Sequence, residues 1–156
     1  MSKKVILNWD QYFITLSKIS ALRSKDPNTQ VGACIVNQEK RVIALGYNGM
    51  PLGNDQDFPW NREAENESDT KYPYVVHAEI NAILNTTQQI KNAVIYTSLF
   101  PCSNCAKIII QSGIKEVVYQ DDFYAETEDN KISKYLFNKS NIKMRQVKAS
   151  KVQIEI

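Results

Sequence analysis

The sequence predicts an α/β domain in which helices cover a mixed β-sheet. Amphipathic helical patterns alternate along the chain with short apolar segments typical of strands. The length of 156 residues and the hydrophobic content of 43% suit one globular domain over residues 1–156. No repeat or low-complexity tract interrupts the alternation. Such an order of elements is typical of helices layered on a sheet.

The first half of the chain predicts one helix and a strand hairpin. Residues 8–24 carry apolar side chains at helical spacing, namely Trp9, Tyr12, Phe13, Leu16 and Ile19. Two apolar stretches, VGACIV at 31–36 and RVIALGYN at 41–48, are joined by the polar link NQEK and predict paired strands. Segment 49–73 has Pro, Gly and charge without periodicity, so we expect a long loop that is either a functional lid or disordered.

The second half continues the alternation and ends in a strand. Its pattern predicts, in order, a helix over 77–85, a strand over 93–98, a helix over 102–112 ended by Gly113, a strand over 116–120, a helix over 126–139 and a strand near 142–147.

Charge and hydropathy exclude several classes of protein. A formal net charge of +2 is too small to indicate a nucleic-acid partner. No apolar run approaches the roughly 18 residues of a membrane span, and the apolar patch near the N-terminus is too short for a signal peptide. We therefore expect a cytosolic or nuclear protein, assigned to the cytoplasm, that binds neither membrane nor nucleic acid.

Three cysteines and a single histidine are the candidates for chemistry. In a reducing compartment an odd number of cysteines argues against a disulfide framework. Cys34 lies in the apolar run VGACIVN, which predicts a buried core thiol. Cys102 and Cys105, in PCSNC, begin a helical pattern, and His77 begins another in KYPYVVHAEINAIL.

These residues suit a zinc ion with one open coordination position. In an α/β layout the first turns of both helices can meet at one sheet edge, which would bring His77, Cys102 and Cys105 together. A structural zinc normally has four protein ligands. The sequence has no second histidine, and its other thiol, Cys34, is expected in a distant buried strand, so a structural zinc is disfavoured. Three ligands plus water is the catalytic pattern. Glu79 is the carboxylate that could move the proton of that water. It shares the site with His77 only if His77 caps the helix, because residues two apart on a regular helix point to nearly opposite faces.

The motifs HAE and PCSNC, in this order, resemble the H-x-E…P-C-x-x-C signature of zinc-dependent cytidine and deoxycytidylate deaminases. Further stretches resemble the deoxycytidylate (dCMP) deaminase branch, over about residues 8 to 147: RSKDPNTQVGACIVN, GYNGMP, DTKYPYVVHAEINAIL and LFPCSNCAKIIIQSGIKEVVY. The resemblance implies a three-layer cytidine-deaminase-like fold with a five-stranded mixed sheet flanked by helices. It also implies one Zn²⁺ per subunit on His77, Cys102 and Cys105, with Glu79 as proton shuttle. The implied reaction is hydrolysis of dCMP to dUMP and ammonia, which supplies dUMP for dTMP synthesis.

The resemblance also implies substrate contacts, each with a plainer alternative. Asn48 would hold the sugar hydroxyl, although Asn-Gly is also an ordinary turn. The backbone N–H of Ala78 would bind the base carbonyl at the helix start. The remaining candidates are Ser24 and Lys25 for the 5′-phosphate, against a solvated helix end, and Phe123 or Tyr124 to cover the base, against core packing. If Lys25 binds the phosphate, Lys25→Ala should weaken use of dCMP far more than of deoxycytidine.

Relatives of this kind also lead us to expect a hexamer activated by dCTP and inhibited by dTTP, with Mg²⁺. The effector would bind near the GYNG turn, at Tyr47 and Gly49. Residues 50 to 74 contain neither Cys nor His, so a second zinc in the long loop is not expected. Three alternatives remain open: a bifunctional dCMP/dCTP deaminase, a deaminase of bases in tRNA or single-stranded DNA, and a zinc-binding interaction module without activity.

Overall fold

Four α-helices and five β-strands alternate along the chain in the computed structural model, which describes residues 3–148 and 151–156. Residues 1–2 and 149–150 of the domain predicted over 1–156 lie outside the described residues. In chain order the elements are α1 (Trp9–Ala21), β1 (Gly32–Val36), β2 (Val42–Tyr47), α2 (Ala78–Asn85), β3 (Val94–Leu99), α3 (Ser103–Gln111), β4 (Glu116–Asp121), α4 (Glu128–Lys139) and β5 (Lys143–Gln146). Every predicted helix and strand is present, with ends shifted by a few residues.

The five strands form one mixed sheet in the order β2-β1-β3-β4-β5. Strand β1 pairs antiparallel with both β2 and β3, whereas β3, β4 and β5 run parallel. The parallel connections pass through α3 and α4, which supply the crossovers that parallel strands require. The predicted five-stranded mixed sheet is confirmed.

Helices cover both faces of the sheet, and side chains of β1 alternate between two cores. Cys34 and Val36 pack with Phe13 of α1 on one face. Ala33 and Ile35 face the other core, which α2, α3 and α4 complete. All five residues of β1 are buried, which explains its continuous apolar run. The three-layer architecture is confirmed, and Cys34 is the predicted core thiol.

Side-chain caps begin two of the helices. The Asn8 side chain accepts a hydrogen bond from the backbone N–H of Gln11, and the Gln11 side chain accepts one from the backbone N–H of Asn8. This capping box satisfies donors that the first turn of a helix leaves unpaired. Thr127 caps α4 through a single hydrogen bond, in which its Oγ1 accepts from the backbone N–H of Asn130. Among the helices of the described segments, none is long and apolar enough to traverse a lipid bilayer.

The long segment between β2 and α2 is structured through local turns and contacts with the domain. Two short 3-10 turns lie in it, at Pro51–Gly53 and Glu67–Asp69. The backbones of Gly49 and Val76 exchange two hydrogen bonds, of 3.0 and 2.8 Å, which close the base of the loop. The segment is therefore ordered and not disordered, and some of its residues reach the site described below.

Gly46 sets the close approach of α2 to β2 and provides a test of this packing. A Cβ at Gly46 would lie 2.4 Å from both Ala78 O and Ala82 N, which are backbone atoms of α2 that no rotamer change can move. We expect Gly46→Ala to displace α2 and lower the free energy of unfolding by about 3 kcal/mol, as for severe overpacking. Gly49→Ala is the matched control, because a Cβ there meets no atom within 4 Å. Urea denaturation of both variants measures the difference; equal stabilities would contradict the packing argument.

Candidate active site

The N-termini of α2 and α3 meet at one site. His77 is the N-cap of α2, with φ −72° and ψ 157°, and Cys102 is the N-cap of α3, with φ −69° and ψ 169°. Both residues have an extended backbone and precede the first regular turn of their helices. Helical geometry therefore does not fix the directions of their side chains. The condition under which His77 and Glu79 can share a site is therefore met.

His77, Cys102 and Cys105 form a cluster suited to a metal ion. The three donor atoms all lie within 4.8 Å of one another. His77 Nδ1 is 3.4 Å from Cys102 Sγ and 3.3 Å from Cys105 Sγ. Tetrahedral zinc, with Zn–S near 2.3 Å and Zn–N near 2.0–2.1 Å, separates such donors by about 3.5 Å. The residues present thus fit Zn²⁺, and no other such cluster occurs within the described parts of the chain.

The protonation of the three ligands is coupled through short contacts. A hydrogen bond from Cys105 lowers the pKa of Cys102 to about 4, and His77 acts in the same direction against the effect of burial. The contact with Cys102 raises the pKa of His77 to about 9. The contact with Cys102 and burial raise the pKa of Cys105. Cys102 is therefore a thiolate at neutral pH, the form in which cysteine binds a metal.

Glu79 lies beside the metal ligands in the first turn of α2 and is only 4% exposed. Its Oε2 is 3.6 Å from Cys105 Sγ. Burial raises the pKa of Glu79 above its ordinary value, and the charge of His77 opposes that rise. A buried carboxyl group with a raised pKa next to a metal site is suited to accept and return a proton.

Asp129 of α4 holds the first residue of α3 in place and so helps to position the thiols of Cys102 and Cys105. Its carboxylate accepts hydrogen bonds from the backbone N–H of Ser103 at 3.1 Å and from Ser103 Oγ at 2.5 Å. Ser103 immediately follows Cys102, so this contact positions the N-cap. A carboxylate at a helix N-terminus is also favoured by the helix dipole.

A cavity of about 350 Å³ opens onto the cluster. Six of the residues predicted for the site line it, namely Asn48, His77, Ala78, Glu79, Cys102 and Tyr124. Cys105 is fully buried behind them. The volume lies within the range typical of small-molecule sites.

Three predicted substrate residues are not among those that line the cavity. Ser24 is buried, and its Oγ accepts a hydrogen bond from the backbone N–H of Asp26 at 3.3 Å. Lys25 forms an ion pair of 2.9 Å with Asp55 and lies at a second pocket. Phe123 is 79% exposed and packs edge-on against Tyr124. The RSKDPN turn thus approaches the cavity through Asp26 rather than through Ser24 or Lys25.

Sequence reasoning predicted Glu79 but missed four other charged residues that line the cavity, Asp26, Arg62, Lys71 and Asp129. Asp26 and Lys71 form a buried ion pair of 2.5 Å. Arg62 is hydrogen-bonded to the hydroxyls of Tyr72 and Tyr124, both at 3.4 Å. The sequence did offer a signal for two of the lining residues, because Lys71 and Tyr72 lie in the stretch DTKYPY, just before His77. The pairing of residues 45 positions apart carries no local pattern, however.

The residues predicted for an effector, Tyr47 and Gly49, line a second pocket of about 610 Å³. Lys25 and Asp55 line the same pocket. The guanidinium of Arg23 lies 5.9 Å from the centre of the Tyr47 ring. This pocket adjoins the cavity, because Asn48 lines both.

Three candidate zinc ligands, which would leave one position of a tetrahedral ion for water, with a buried carboxylate beside them, are the arrangement typical of a catalytic zinc site. A family model described as the cytidine and deoxycytidylate deaminase zinc-binding region matches residues 7–121. The chain belongs to this family of zinc-dependent hydrolytic deaminases, and the resemblance noted in the sequence is confirmed.

Named relatives agree with this assignment. The chain is 50% identical to human deoxycytidylate deaminase over 153 residues, covering 96% of this chain and 86% of the relative. It is 35% identical to ComE operon protein 2 of Bacillus subtilis, covering 96% of this chain and 77% of that protein. The crystal structure of the dCMP deaminase of cyanophage S-TIM5 with dCMP and dUMP has a TM-score of 0.61 at 24% identity, covering 89% of this chain and 93% of the other. That last similarity concerns the fold alone.

Proposed function

We propose that this protein is a zinc-dependent dCMP deaminase that converts dCMP and water into dUMP and ammonia. The observation that carries the proposal is the cluster of His77, Cys102 and Cys105 with Glu79 buried beside it at a nucleotide-sized cavity. The choice of dCMP rests on the 50% identity to human deoxycytidylate deaminase over 96% of this chain.

The chemistry follows from the residues at the cavity. Zinc, when bound, supplies a Lewis acid that lowers the pKa of water from 15.7 towards about 7. Glu79 accepts a proton from the attacking water, delivers it to N3 of cytosine, and assists departure of the C4 amino group as ammonia. The new C4–O bond replaces the C4–N bond, so the reaction needs no oxidant or reductant. One carboxylate thus acts first as base and then as acid.

Substrate orientation would come from groups around the cavity. The backbone N–H of Ala78 opens α2 and lacks a helical partner, so it would donate to the carbonyl oxygen of the base. Tyr124 would lie against the base or sugar from the α4 side. Asn48 would contact the sugar. These roles remain part of the proposal.

Ammonia release separates this proposal from its alternatives. The purified protein should deaminate dCMP at a higher kcat/KM than deoxycytidine, dCTP or a cytosine-containing oligonucleotide. Comparable rates with dCTP would favour a bifunctional enzyme, and preference for the oligonucleotide would favour a polynucleotide deaminase. A zinc-loaded protein inactive on all four would be a binding module, and the proposal would fail.

Arg62 is the cation that we assign to the 5′-phosphate. It is an arginine lining the cavity that has no acidic partner among the described residues, and guanidinium suits phosphate oxygens. We expect Arg62→Ala to raise KM for dCMP about tenfold while leaving the deoxycytidine rate nearly unchanged.

Steady-state kinetics of both substrates measure this effect, with exposed and distant Arg41→Ala as the control. Binding of the 5′-phosphate by Arg62 and binding by Lys25 predict different results for these variants. If Lys25→Ala carries the selective loss and Arg62→Ala does not, the phosphate lies at the RSKDPN turn.

We also propose how the protein is regulated, how it assembles and where it is located. The second pocket, with Tyr47, Gly49 and Lys25 at its wall, is where dCTP with Mg²⁺ would activate and dTTP would inhibit. We further propose a single domain over residues 1–156, a hexamer, and a cytoplasmic location in which the free thiols stay reduced. Rates measured with each nucleotide and the mass in solution would test regulation and assembly.

A further inference from the structure

Asn130, in the first turn of α4, lines the cavity but has no role in the chemistry above. The residue is only 4% exposed. Its side-chain Oδ1 is buried and accepts no hydrogen bond from any described residue. Thr97 and Gln120 also carry a buried side-chain oxygen without a partner, but neither lines the cavity. A buried acceptor without a donor costs free energy, so an unpaired acceptor at the wall of a binding cavity indicates a donor on the ligand.

The amide of Asn130 is held in one orientation by Asp122. Its Nδ2 donates to Asp122 Oδ1 at 2.7 Å. The other carboxylate oxygen, Asp122 Oδ2, accepts from Lys134 Nζ at 2.6 Å, so the carboxylate is fixed on both sides. A flipped amide would set its oxygen against a carboxylate oxygen, which is acceptor against acceptor. The atom left without a partner is therefore the oxygen of the amide and not the nitrogen.

Contacts of α4 place Asn130 at the metal end of the cavity. The preceding residue, Asp129, accepts a hydrogen bond from the backbone N–H of Ser103 at 3.1 Å. One turn later, Ser133 Oγ donates to the backbone carbonyl of Pro101 at 2.7 Å. Ser103 and Pro101 flank a metal-ligating cysteine. The start of α4 is thus bound to both sides of that cysteine, and the unpaired acceptor lies between the two contacts.

The proposed substrate offers two kinds of hydrogen-bond donor, the C4 amino group of the base and the hydroxyl of the sugar. Because the attacking water adds to C4, the amino group on that carbon must lie at the metal end of the cavity. The hydroxyl is already assigned to Asn48. The acceptor of Asn130 therefore suits the amino group. The product carries an oxygen at C4, which accepts and cannot donate, so the same acceptor would repel it.

We infer that Asn130 Oδ1 accepts a hydrogen bond from the C4 amino group of cytosine and so favours the substrate over the product. This inference rests on the proposed function, which supplies the amino group. Asp122 is the positioning residue, because its contact with Nδ2 determines which atom of the amide faces a ligand. The contact needs a small turn of the Asn130 side chain, because Oδ1 is buried in the wall of the cavity. Side-chain adjustments of this kind are common on binding.

Asn130→Leu tests the inference, because leucine has a similar size but neither donates nor accepts a hydrogen bond. The two quantities measured on zinc-loaded protein are kcat/KM for dCMP and the inhibition constant of dUMP. We expect kcat/KM to fall about tenfold, as for a lost hydrogen bond. The inhibition constant of dUMP should stay within about threefold of the parental value or decrease, because no favourable contact with the product is lost. Asn130→Ser, whose shorter side chain withdraws the acceptor, should show the same split and decides the question if the leucine variant does not fold.

The matched control is Asn138→Leu, the same change at an exposed position near the end of α4, and it should leave both quantities at parental values. Equal weakening of dCMP use and of dUMP binding by the Asn130 variants would overturn the inference and leave Asn130 a purely structural role. Parental values of both quantities would overturn it as well. Failure of the proposed function appears separately, as absence of ammonia release from dCMP by the parent.

Discussion

Replacing Glu79 with Gln is expected to lower kcat by about 10²–10⁴-fold while zinc content stays at that of the parent. The amide has nearly the same shape as the carboxyl group but cannot accept the proton of water and return it to the base. Glu79 is not one of the three metal ligands, although its Oε2 lies 3.6 Å from Cys105 Sγ. Ammonia release and metal analysis of the same preparation measure the two quantities.

The matched control for this change is Glu39→Gln, at an exposed residue in the link between β1 and β2. It should leave both activity and zinc unchanged. Retention of parental turnover by the Glu79 variant would assign proton transfer to another group, whereas loss of zinc would mean that Glu79 supports the metal site rather than the reaction.

Replacing Cys102 or Cys105 with Ser is expected to weaken zinc binding by more than about 100-fold, the upper range for changes outside the coordination shell. A serine hydroxyl is not ionised at neutral pH and is a harder, weaker ligand for zinc than a thiolate. Two remaining ligands cannot complete the site, so kcat/KM for dCMP should fall with the metal. Metal analysis after dialysis, together with circular dichroism, separates metal loss from unfolding.

Cys34→Ala is the matched control for the thiol changes. Cys34 is fully buried on the α1 face of the sheet, and burial raises its pKa to about 12, so it is a neutral core side chain. Its loss should affect stability and not zinc. Full zinc occupancy in both serine variants would contradict the ligand assignment, and zinc loss in the Cys34 variant would implicate a different thiol.

The fold was predictable because its signals are local. Helical periodicity in α1 and α3 and the doubly buried run of β1 each follow from neighbouring residues. The first and last residues of the helices were less predictable, because helix ends depend on caps. His77 and Cys102 begin helical patterns in the sequence but are N-cap residues in the structure. The metal cluster was also predictable, because the chain has three cysteines and one histidine, and two of the cysteines share a PCSNC motif.

The charged residues that line the cavity around the metal cluster were not predictable in the same way. Lys25 looked suitable because it is a lysine in a polar turn, yet it pairs with Asp55 outside the cavity. Arg62 and Lys71 come from the long loop, whose lack of periodicity gave no guide to its path. The folded path of that loop, whose two ends are joined by Gly49 and Val76, brings both residues to the site.

The sequence by itself determined the fold class, the zinc-competent residues and the family, because these depend on residue types at short spacings. The tertiary structure alone decided which charges face the substrate cavity. That choice depends on contacts between residues far apart in the chain, such as Asp26 with Lys71, where burial and hydrogen-bond geometry select one pairing among many. Charged side chains carry no local sequence pattern that reveals a distant partner before the chain has folded, which is the physical reason for the division.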